Sequence, residues 1–249
     1  MKYFVKSLIC ATLVLVVTGC QSTFSPQVDS LLDKMRSKVD PQGKLKTTTS
    51  KIVEGTLRRN SKDKGATMSV KVQSPDLLRF DVIIPGKESI VKAFDGKVAW
   101  EYSTKNGYKD LTGHALEAMK FQAAFLNPQK KATNIFSSII MDGEDKVMGQ
   151  PCYKLICKPK KEFGANPITM FVDKKTFLLK KRIEKQGNVK FGYFTVSTIL
   201  HDYKSFDGIL VPQAIISNAN GNIMELNVTA VKWNEKIHIS AFDPPEILK

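Results

Sequence analysis

Short segments that alternate between apolar and polar residues, each bounded by turn residues, make up most of the sequence. In Met68–Val72 and Leu78–Ile84 every second residue is apolar, and a proline follows soon after each segment. Asp95-Gly96 has the residues of a tight hairpin turn, and Asp207-Gly208 and Asn220-Gly221 repeat that pattern further along the chain. Alternation with a period of two is typical of antiparallel strands that bury one face. The sequence therefore predicts about nine to eleven antiparallel strands.

Two segments have helical rather than strand spacing. The first follows Ser25, a favourable N-cap, and begins at Pro26, whose missing N–H costs nothing at the first helical position. Its apolar side chains fall on one stripe, and it stops at Asp40-Pro41. The second segment, Thr112–Leu126, is apolar around most of its circumference, which is typical of a helix buried on most sides. A third, short helix is predicted over Ala132–Met141.

These helices supply the apolar material that can cover the sheet. A sheet with one apolar face has to bury that face against another layer. We therefore predict an α+β fold, in which a single strongly curved antiparallel sheet forms an incomplete β-barrel and helices cover its concave face. No short internal repeat or low-complexity linker divides the chain. Residues 20–249 are accordingly expected to form one domain.

The first residues have the pattern of an export signal. Lys2 and Lys6 precede Leu8–Val17, an uncharged and mainly apolar run. This run is shorter than the roughly 20 apolar residues that a membrane-spanning helix needs. Val17-Thr18-Gly19-Cys20 then resembles the bacterial lipobox, in which a branched aliphatic residue and two small residues precede a cysteine. The sequence therefore predicts that residues 1–19 are a lipoprotein signal peptide.

Cys20 is the predicted attachment point for lipid. The lipobox resemblance implies that this cysteine becomes the first mature residue and carries acyl chains such as palmitate, which anchor the protein to a bilayer. A plain secretory leader with a chance cysteine is the alternative. Because Gln21 rather than an Asp follows the cysteine, the resemblance favours the outer membrane of a bacterial envelope, with the protein facing the periplasm.

The chain is strongly basic, with a formal net charge of +14. Its basic residues are spread along the sequence and interleaved with acidic ones, which is typical of a solvated surface with a general affinity for anionic partners. In a cell envelope those partners would be phospholipid head groups or anionic glycolipids. Nucleic acid is not an expected partner, because an exported protein does not meet it in normal function.

The C-terminal half contains two strands with distinctive side chains. Cys152 and Cys157 lie five residues apart on one strand, which places them on opposite faces and roughly 16 Å apart, too far for a disulfide bond. No further ligands lie near them for a metal ion, so they are interpreted as structural thiols. On a later strand, Leu179 and Ile183 are predicted to share the apolar face, with Arg182 on the polar face.

No motif of a common catalytic or cofactor site occurs. The sequence lacks a Gly-x-Ser-x-Gly elbow, a His-Glu-x-x-His pair and a glycine-rich phosphate loop. His114, His201 and His238 are far apart and in unlike contexts. We therefore expect no enzyme, no catalytic residue, no metal and no cofactor. A hydrolase whose nucleophile and base are brought together only by folding stays an alternative.

Several short motifs occur along the chain. Ser74-Pro75-Asp76 leads into a strand, and the Asp95-Gly96 hairpin precedes Trp100-Glu101-Tyr102. Further motifs follow in the C-terminal half: Gly149–Tyr153, Asp173–Thr176, Asp207–Pro212 and Phe242–Pro244. Together they resemble the lipoprotein-localisation family, whose members include the LolA carrier and the LolB receptor. The resemblance implies an eleven-stranded half-barrel with helices as a lid and an apolar cavity that holds lipid acyl chains.

The resemblance also implies a function. We expect a lipid-anchored envelope protein that binds the acyl chains of lipoproteins or lipids and takes part in their transport or outer-membrane sorting, together with other envelope transport proteins. A non-transporting scaffold or interaction module of an envelope complex is the alternative. One face each of two strands, and the second helix, are expected to line the cavity: Leu78, Phe80, Val82, Ile84, Val98, Trp100, Tyr102, Leu116, Met119 and Phe125. Trp100 and Tyr102 are alternatively ordinary inward-facing strand residues.

Overall fold

A single antiparallel sheet of thirteen strands organises the protein in a computed structural model, which describes residues 24–59, 65–188 and 192–245. The strands of the N-terminal half are β1 (Ser50–Arg58), β2 (Ala66–Gln73), β3 (Leu77–Ile84), β4 (Glu88–Phe94), β5 (Ala99–Ser103) and β6 (Gly107–Leu111). Those of the C-terminal half are β7 (Phe136–Val147), β8 (Gln150–Pro159), β9 (Ile168–Asp173), β10 (Leu179–Asn188), β11 (Gly192–Phe206), β12 (Ile209–Ala219) and β13 (Asn222–Trp233). The helices are α1 (Pro26–Val39), α2 (His114–Leu126) and α3 (Ala132–Ile135).

The sheet consists of two meanders joined through the first and last strands. Its strand order is β6-β5-β4-β3-β2-β1-β13-β12-β11-β10-β9-β8-β7. β1 pairs with β13, so each meander continues the other, while β6 and β7 are the two edges of an open sheet. The prediction of one antiparallel sheet is confirmed. The predicted number of strands was too low, because the polar segment that forms β6 and the segment that forms β7 lack clear alternation.

The helix α1 begins and ends as its sequence predicts. The Ser25 side chain accepts a hydrogen bond from the backbone N–H of Val28, and Pro26 occupies the first helical position. At the other end, the Asp40 carboxylate accepts hydrogen bonds from the backbone N–H groups of Lys44 and Leu45, at 2.9 and 2.8 Å. Ser25 therefore caps the start of the helix, and Asp40 holds the turn that follows its end.

The predicted third helix is largely wrong. Only Ala132–Ile135 is helical, and the residues from Phe136 onward form the edge strand β7, where Ile139 pairs with Cys157 of β8. The apolar spacing of this segment is compatible with either a helix or a strand. Pairing with β8 decides the outcome, and it leaves Ile140 exposed on the surface. A short apolar run of this kind cannot be assigned from periodicity alone.

All three helices pack against one side of the sheet, which we call the helix-covered face; the other side is the opposite face. One core cluster joins α1, α2 and α3 to β7, β8 and β9, and contains Val28, Leu31, Phe121, Ala124, Ile135, Phe136, Leu155, Cys157 and Ile168. A second cluster joins α2 to the strands β2–β5 and contains Val70, Val72, Leu78, Phe94, Ala99, Met119 and Ala123. Each large apolar side chain buried in this way contributes about 1.5–3 kcal/mol. The helices are therefore held mainly by apolar contacts.

Cys152 and Cys157 are both free, as predicted, and both are buried. Cys157 lies in the cluster under the helices, whereas Cys152 packs with Val147 and Phe171 on the opposite face. Burial raises the pKa of the Cys157 thiol to about 12. Neither thiol is therefore set up as a nucleophile.

None of the helices in the part of the chain that the structure describes combines the length and the apolar character needed to cross a membrane.

Candidate functional site

The predicted cavity residues of β3 and α2 are brought together on the helix-covered face. Leu78 is fully buried in one cluster with Met119, and Phe80 and Leu116 pack against that cluster from its margin. Val82 lies on the same face, because it pairs with Met68, which also packs there. Alternation along β3 gives Ile84 the same orientation. Phe125 lies on the neighbouring side of α2, stacked on Phe121 with 5.7 Å between the ring centres.

The three cavity residues predicted around β5 lie elsewhere, so that part of the prediction is wrong in its geometry. In the β4–β5 hairpin Phe94 pairs with Ala99, and it is Ala99 that packs beneath α2. Trp100 therefore points to the opposite face together with Tyr102, and Val98 is 47% exposed. The prediction treated the largest side chains as the cavity-facing ones. The hairpin register instead presents a small alanine to the helix.

Trp100 is buried against the C-terminal segment rather than against a helix. Its indole Nε1 donates a hydrogen bond to the backbone carbonyl of Phe242 at 2.9 Å, and both residues are almost inaccessible to solvent. The Arg79 guanidinium donates to the carbonyl of Ala241 at 2.6 Å beside it. The ring of Tyr108 stacks on Trp100, with 6.2 Å between the ring centres. The alternative interpretation of Trp100, as a structural core residue, therefore fits its surroundings.

A lysine that the sequence did not single out holds one end of α2. The Lys51 ammonium, on the helix-covered face of β1, donates a hydrogen bond to the backbone carbonyl of Leu126 at 2.9 Å. Leu126 is the last residue of the helix, where the unpaired carbonyls favour a cation. Burial lowers the pKa of Lys51 to about 8. The only local signal in the sequence is a lysine in phase with Val53 on a strand.

Arg182 also faces the helices, contrary to the prediction. A bulge between Leu179 and Lys181 shifts the alternation of β10 by one residue. Arg182 therefore shares the helix-covered face with Leu179, while Ile183 packs with Phe171 on the opposite face. The prediction that Leu179 and Ile183 share a face is wrong for this reason.

Arg182 belongs to a small polar group next to the apolar clusters. Its guanidinium lies over the ring of Phe125, 5.2 Å from the centre, and 3.0 Å from the carboxylate of Glu184. The neighbouring strands add a contact between the Thr198 and Ser217 hydroxyls at 3.3 Å. Polar groups within a mainly apolar surface are able to orient a ligand that has both characters.

A depression on the opposite face of the sheet lies beside the C-terminal segment. It measures about 790 Å³, and apolar residues line it together with charged and phenolic ones, among them Arg79, Asp95, Tyr108, Asp110 and Asp243. Tyr108 donates a hydrogen bond to the Asp110 carboxylate at 2.6 Å. This hydrogen bond, the larger cause, together with partial burial, raises the pKa of Tyr108 to about 12. With this many charged groups the depression lacks the mainly apolar lining that an acyl chain needs.

The three histidines are distant from one another and engaged with residues close in sequence. His114 pairs with Glu117 at 2.8 Å, and His201 with Asp202 at 2.9 Å. His238 caps the short helix Ile239–Ala241, which places its Nδ1 2.6 Å from the Ser240 hydroxyl. Within residues 24–59, 65–188 and 192–245, no group of three or more His, Cys, Asp or Glu side chains is arranged to hold a metal ion.

Cys20, the predicted lipidation site, and the whole predicted signal peptide lie outside the described residues. The first described residue, Phe24, follows only three residues after Gln21 and is already buried against α1. Any anchor at Cys20 would therefore hold the folded domain on a very short connection.

Comparison with known proteins rests on the fold. No family model and no curated protein matches the sequence. A DUF1329 family protein from Desulfovibrio piger has a TM-score of 0.58 at 14% identity, covering 89% of this chain and 99% of its own. A LolA superfamily protein from Nitrosomonas europaea has a TM-score of 0.56 at 12% identity, covering 87% and 97%. The chain has the LolA-like fold.

A third structure has the same fold. It is a domain from Vibrio parahaemolyticus assigned to outer membrane lipoprotein sorting, with a TM-score of 0.55 at 13% identity, covering 86% of this chain and 95% of its own. At these identities the similarity establishes the fold only. The predicted resemblance to the LolA group is confirmed at that level, across nearly the full length of each similar structure.

Proposed function

We propose that this protein is a lipid-anchored component of the bacterial envelope that binds acyl chains of lipoproteins or lipids between its helices and its sheet. It takes part in lipoprotein or lipid transport at the outer membrane, facing the periplasm, and needs no covalent chemistry. The observation that carries the proposal is the way α2 covers the sheet. Met119 and Ala123 bury Leu78, Phe94 and Ala99 through apolar contacts alone.

The number of strands and three half-buried side chains favour a cavity on this side. Open twisted sheets of more than about ten strands tend to curl or split, and this sheet has thirteen. A sheet that curls around its helices presents them with a concave face. Between α1 and α2, the strands β1, β12 and β13 carry Leu57, Ile215 and Leu226 in register on that face, and all three are only half buried. An acyl chain has apolar side chains to contact there.

The two ends of α2 are held differently, so α2 is suited to act as a lid. At its C-terminal end, Lys51 binds the Leu126 carbonyl, and the Asn127 side-chain amide donates to the carbonyl of Pro75. At its N-terminal end, Gly113 provides no side-chain cap. We therefore place the pivot at Leu126 and the opening at the N-terminal end of α2.

An acyl chain can replace the contacts that such an opening would lose. Four residues of α2 are buried: Met119, Phe121, Ala123 and Ala124. Exposing the two large ones costs about 1.5–3 kcal/mol each. Each methylene of a bound chain returns about 0.8 kcal/mol, so roughly four to eight methylenes offset the loss. Acyl chains of ordinary length exceed this number. Short fatty acids should accordingly bind poorly.

Lipid extraction tests the proposal. The chain from Gln21 to Lys249 keeps every described residue and lacks the predicted acylation site, so any lipid it carries is a ligand. It is purified without detergent, extracted with organic solvent and examined by mass spectrometry. We expect a diacyl lipid or lipopeptide in a near-stoichiometric amount. Repeated absence of lipid, also after incubation with vesicles, would contradict the proposal.

A scaffold role within an envelope complex is the second candidate. The observation that favours it is the close filling of the helix-covered face, because Val72, Leu78 and Ala123 are completely inaccessible to solvent. In that case α2 is a permanent layer and does not open. Hydrogen exchange separates the two candidates: amide protons of α2 should exchange at the global unfolding rate in a scaffold, and through a lower-energy opening in a carrier.

A further inference from the structure

One end of the sheet carries an unusual number of exposed apolar side chains. Neighbouring strands of a meander run in opposite directions, so the last residues of β1, β3, β10 and β12 and the first residues of β2, β4, β11 and β13 lie at the same end of the sheet. At these strand ends we define the tip rim by its described apolar residues, Ile83, Tyr193, Phe194, Ile223 and Met224. The structure describes nine exposed large apolar side chains, and five of them belong to the tip rim.

The tip-rim side chains are not part of either core cluster. Their exposed fractions run from 36% for Phe194 to 52% for Ile83. By the strand registers, Phe194 and Met224 lie on the helix-covered face, and Tyr193 and Ile223 on the opposite face. Apolar residues therefore lie exposed on both faces of the strand ends at this end of the sheet. Clustered exposure of this kind marks an interaction surface.

Cations accompany the apolar residues of the tip rim. The Lys185 ammonium lies 4.1 Å from the centre of the Tyr193 ring. Arg58 is exposed at the end of β1, and Lys87 is exposed directly before β4. Glu225, which pairs with Arg58 across the strands, is the neighbouring exposed acid. Aromatic and aliphatic side chains beside lysine and arginine are the combination found where proteins meet the head-group region of a bilayer.

We propose that the tip rim docks edge-on onto an anionic lipid bilayer. The apolar side chains enter the boundary between head groups and acyl chains, and Lys185, Arg58 and Lys87 lie at the level of the lipid phosphates. The charge of the protein favours this partner, since the whole chain carries a formal net charge of +14. The proposal depends on the exposed end of the sheet and not on acyl binding beneath α2. It also places Leu57 and Leu226, which line the helix-covered face near this end, next to the membrane.

Vesicle binding tests the docking surface. The chain from Gln21 to Lys249 is sedimented with vesicles of phosphatidylcholine containing about one third phosphatidylglycerol. Two double variants, Tyr193→Ser with Phe194→Ser and Ile223→Ser with Met224→Ser, should each bind at least about tenfold more weakly than the unsubstituted chain. Lys185→Gln should weaken binding several-fold on these vesicles and leave it unchanged on pure phosphatidylcholine.

Exposed apolar residues elsewhere provide the matched control. Ile140 lies on β7 and is 59% exposed. Met148 lies in the β7–β8 turn, at the end of the sheet opposite the tip rim, and is 71% exposed. The variant Ile140→Ser with Met148→Ser should bind vesicles like the unsubstituted chain. Since every substituted side chain is exposed, thermal unfolding midpoints should agree among all variants, which separates lost docking from lost folding.

Three results would overturn the proposal. The first is equal vesicle binding by the tip-rim variants and the control variant. The second is binding that does not depend on phosphatidylglycerol and is unaffected by Lys185→Gln. The third is a dimer, seen by sedimentation velocity without vesicles, that the tip-rim variants abolish, because the rim would then bind a second copy of the chain.

Discussion

The side-chain nitrogen of Lys51 lies 2.9 Å from the backbone carbonyl oxygen of Leu126, which joins the first strand of the sheet to the last residue of α2. This contact ties a strand on the helix-covered face to the pivot of the proposed lid. It also places a cation in a mainly apolar layer, next to Val53 and Val72. The pKa of Lys51 is lowered to about 8 for that reason.

The stability of the protein should depend on Lys51 above pH 8. In the folded protein the pKa of Lys51 is about 8, below its ordinary value of 10.5. Between these two pH values the unfolded chain binds more protons at Lys51 than the folded one, so the free energy of unfolding rises with pH. We expect a rise of about 1–3 kcal/mol from Lys51, since each full pKa unit corresponds to about 1.4 kcal/mol.

Urea unfolding of Lys51→Met between pH 7 and pH 10 checks this prediction. The difference in unfolding free energy between the unsubstituted chain and the variant should shift in favour of the unsubstituted chain as pH rises. Lys232→Met is the control, because Lys232 is exposed and pairs with Glu54 at the surface. A difference that is independent of pH would mean that Lys51 is not desolvated.

Charge on the helix-covered face should abolish lipid binding, and charge at Val98 should not. Phe80 packs at the margin of the cluster beneath α2, whereas Val98 is exposed on another part of the sheet. We expect Phe80→Asp to reduce extracted lipid at least about tenfold, because an unpaired carboxylate in an apolar layer is strongly disfavoured. Val98→Asp should leave the lipid unchanged. Circular dichroism confirms that both variants fold, and equal lipid content in the two would contradict the assignment.

Loss of the Trp100 hydrogen bond should loosen the C-terminal segment. Trp100→Phe removes the donor to the Phe242 carbonyl and leaves that buried oxygen without its partner. We expect a loss of about 1–3 kcal/mol in the free energy of unfolding. Protease cleavage near residues 239–245 should become faster, while the lipid content should stay the same. A fall in lipid content without loss of stability would instead return Trp100 to the ligand site.

Both buried cysteines should be unreactive in the folded protein. Burial raises the pKa of the Cys157 thiol to about 12, and desolvation followed by the charge of Asp173 raises that of Cys152. At pH 8 an alkylating reagent should therefore label neither within an hour, and should label both at once in denaturant. Rapid labelling of Cys157 alone, detected by peptide mass spectrometry, would show that the layer under α2 opens readily. Cys152, on the opposite face, is the internal control.

Much of the fold was predictable because it depends on local chemistry. Ser25 and Pro26 favour the start of a helix whatever α1 packs against. The Asp95 side chain accepts hydrogen bonds from the backbone N–H groups of Lys97 and Val98 and so stabilises its hairpin turn. Alternation with period two marks Leu78 and Phe80 as residues of one face. These features need no knowledge of distant parts of the chain. The antiparallel strands and the helical segments along the chain follow from them.

The site was predictable only in part, because the orientation of a strand depends on its partners. A one-residue difference in register reverses every side chain that follows. In the β4–β5 hairpin this difference directs Trp100 away from the helices and Ala99 towards them. In β10 a bulge has the same effect on Arg182 and Ile183. Neither event leaves a clear trace in the local sequence.

The sequence by itself determined which segments alternate, where turns and helix caps fall, and that a lipobox-like cysteine precedes the domain. The tertiary structure alone decided which face of the sheet each strand side chain lies on. Phe136–Val147 forms a strand because it pairs with β8 through backbone hydrogen bonds. Lys51 contacts α2 because the fold brings β1 and the end of α2 together. Sequence periodicity indicates which residues are buried. The hydrogen-bond registers between strands determine which residues they contact.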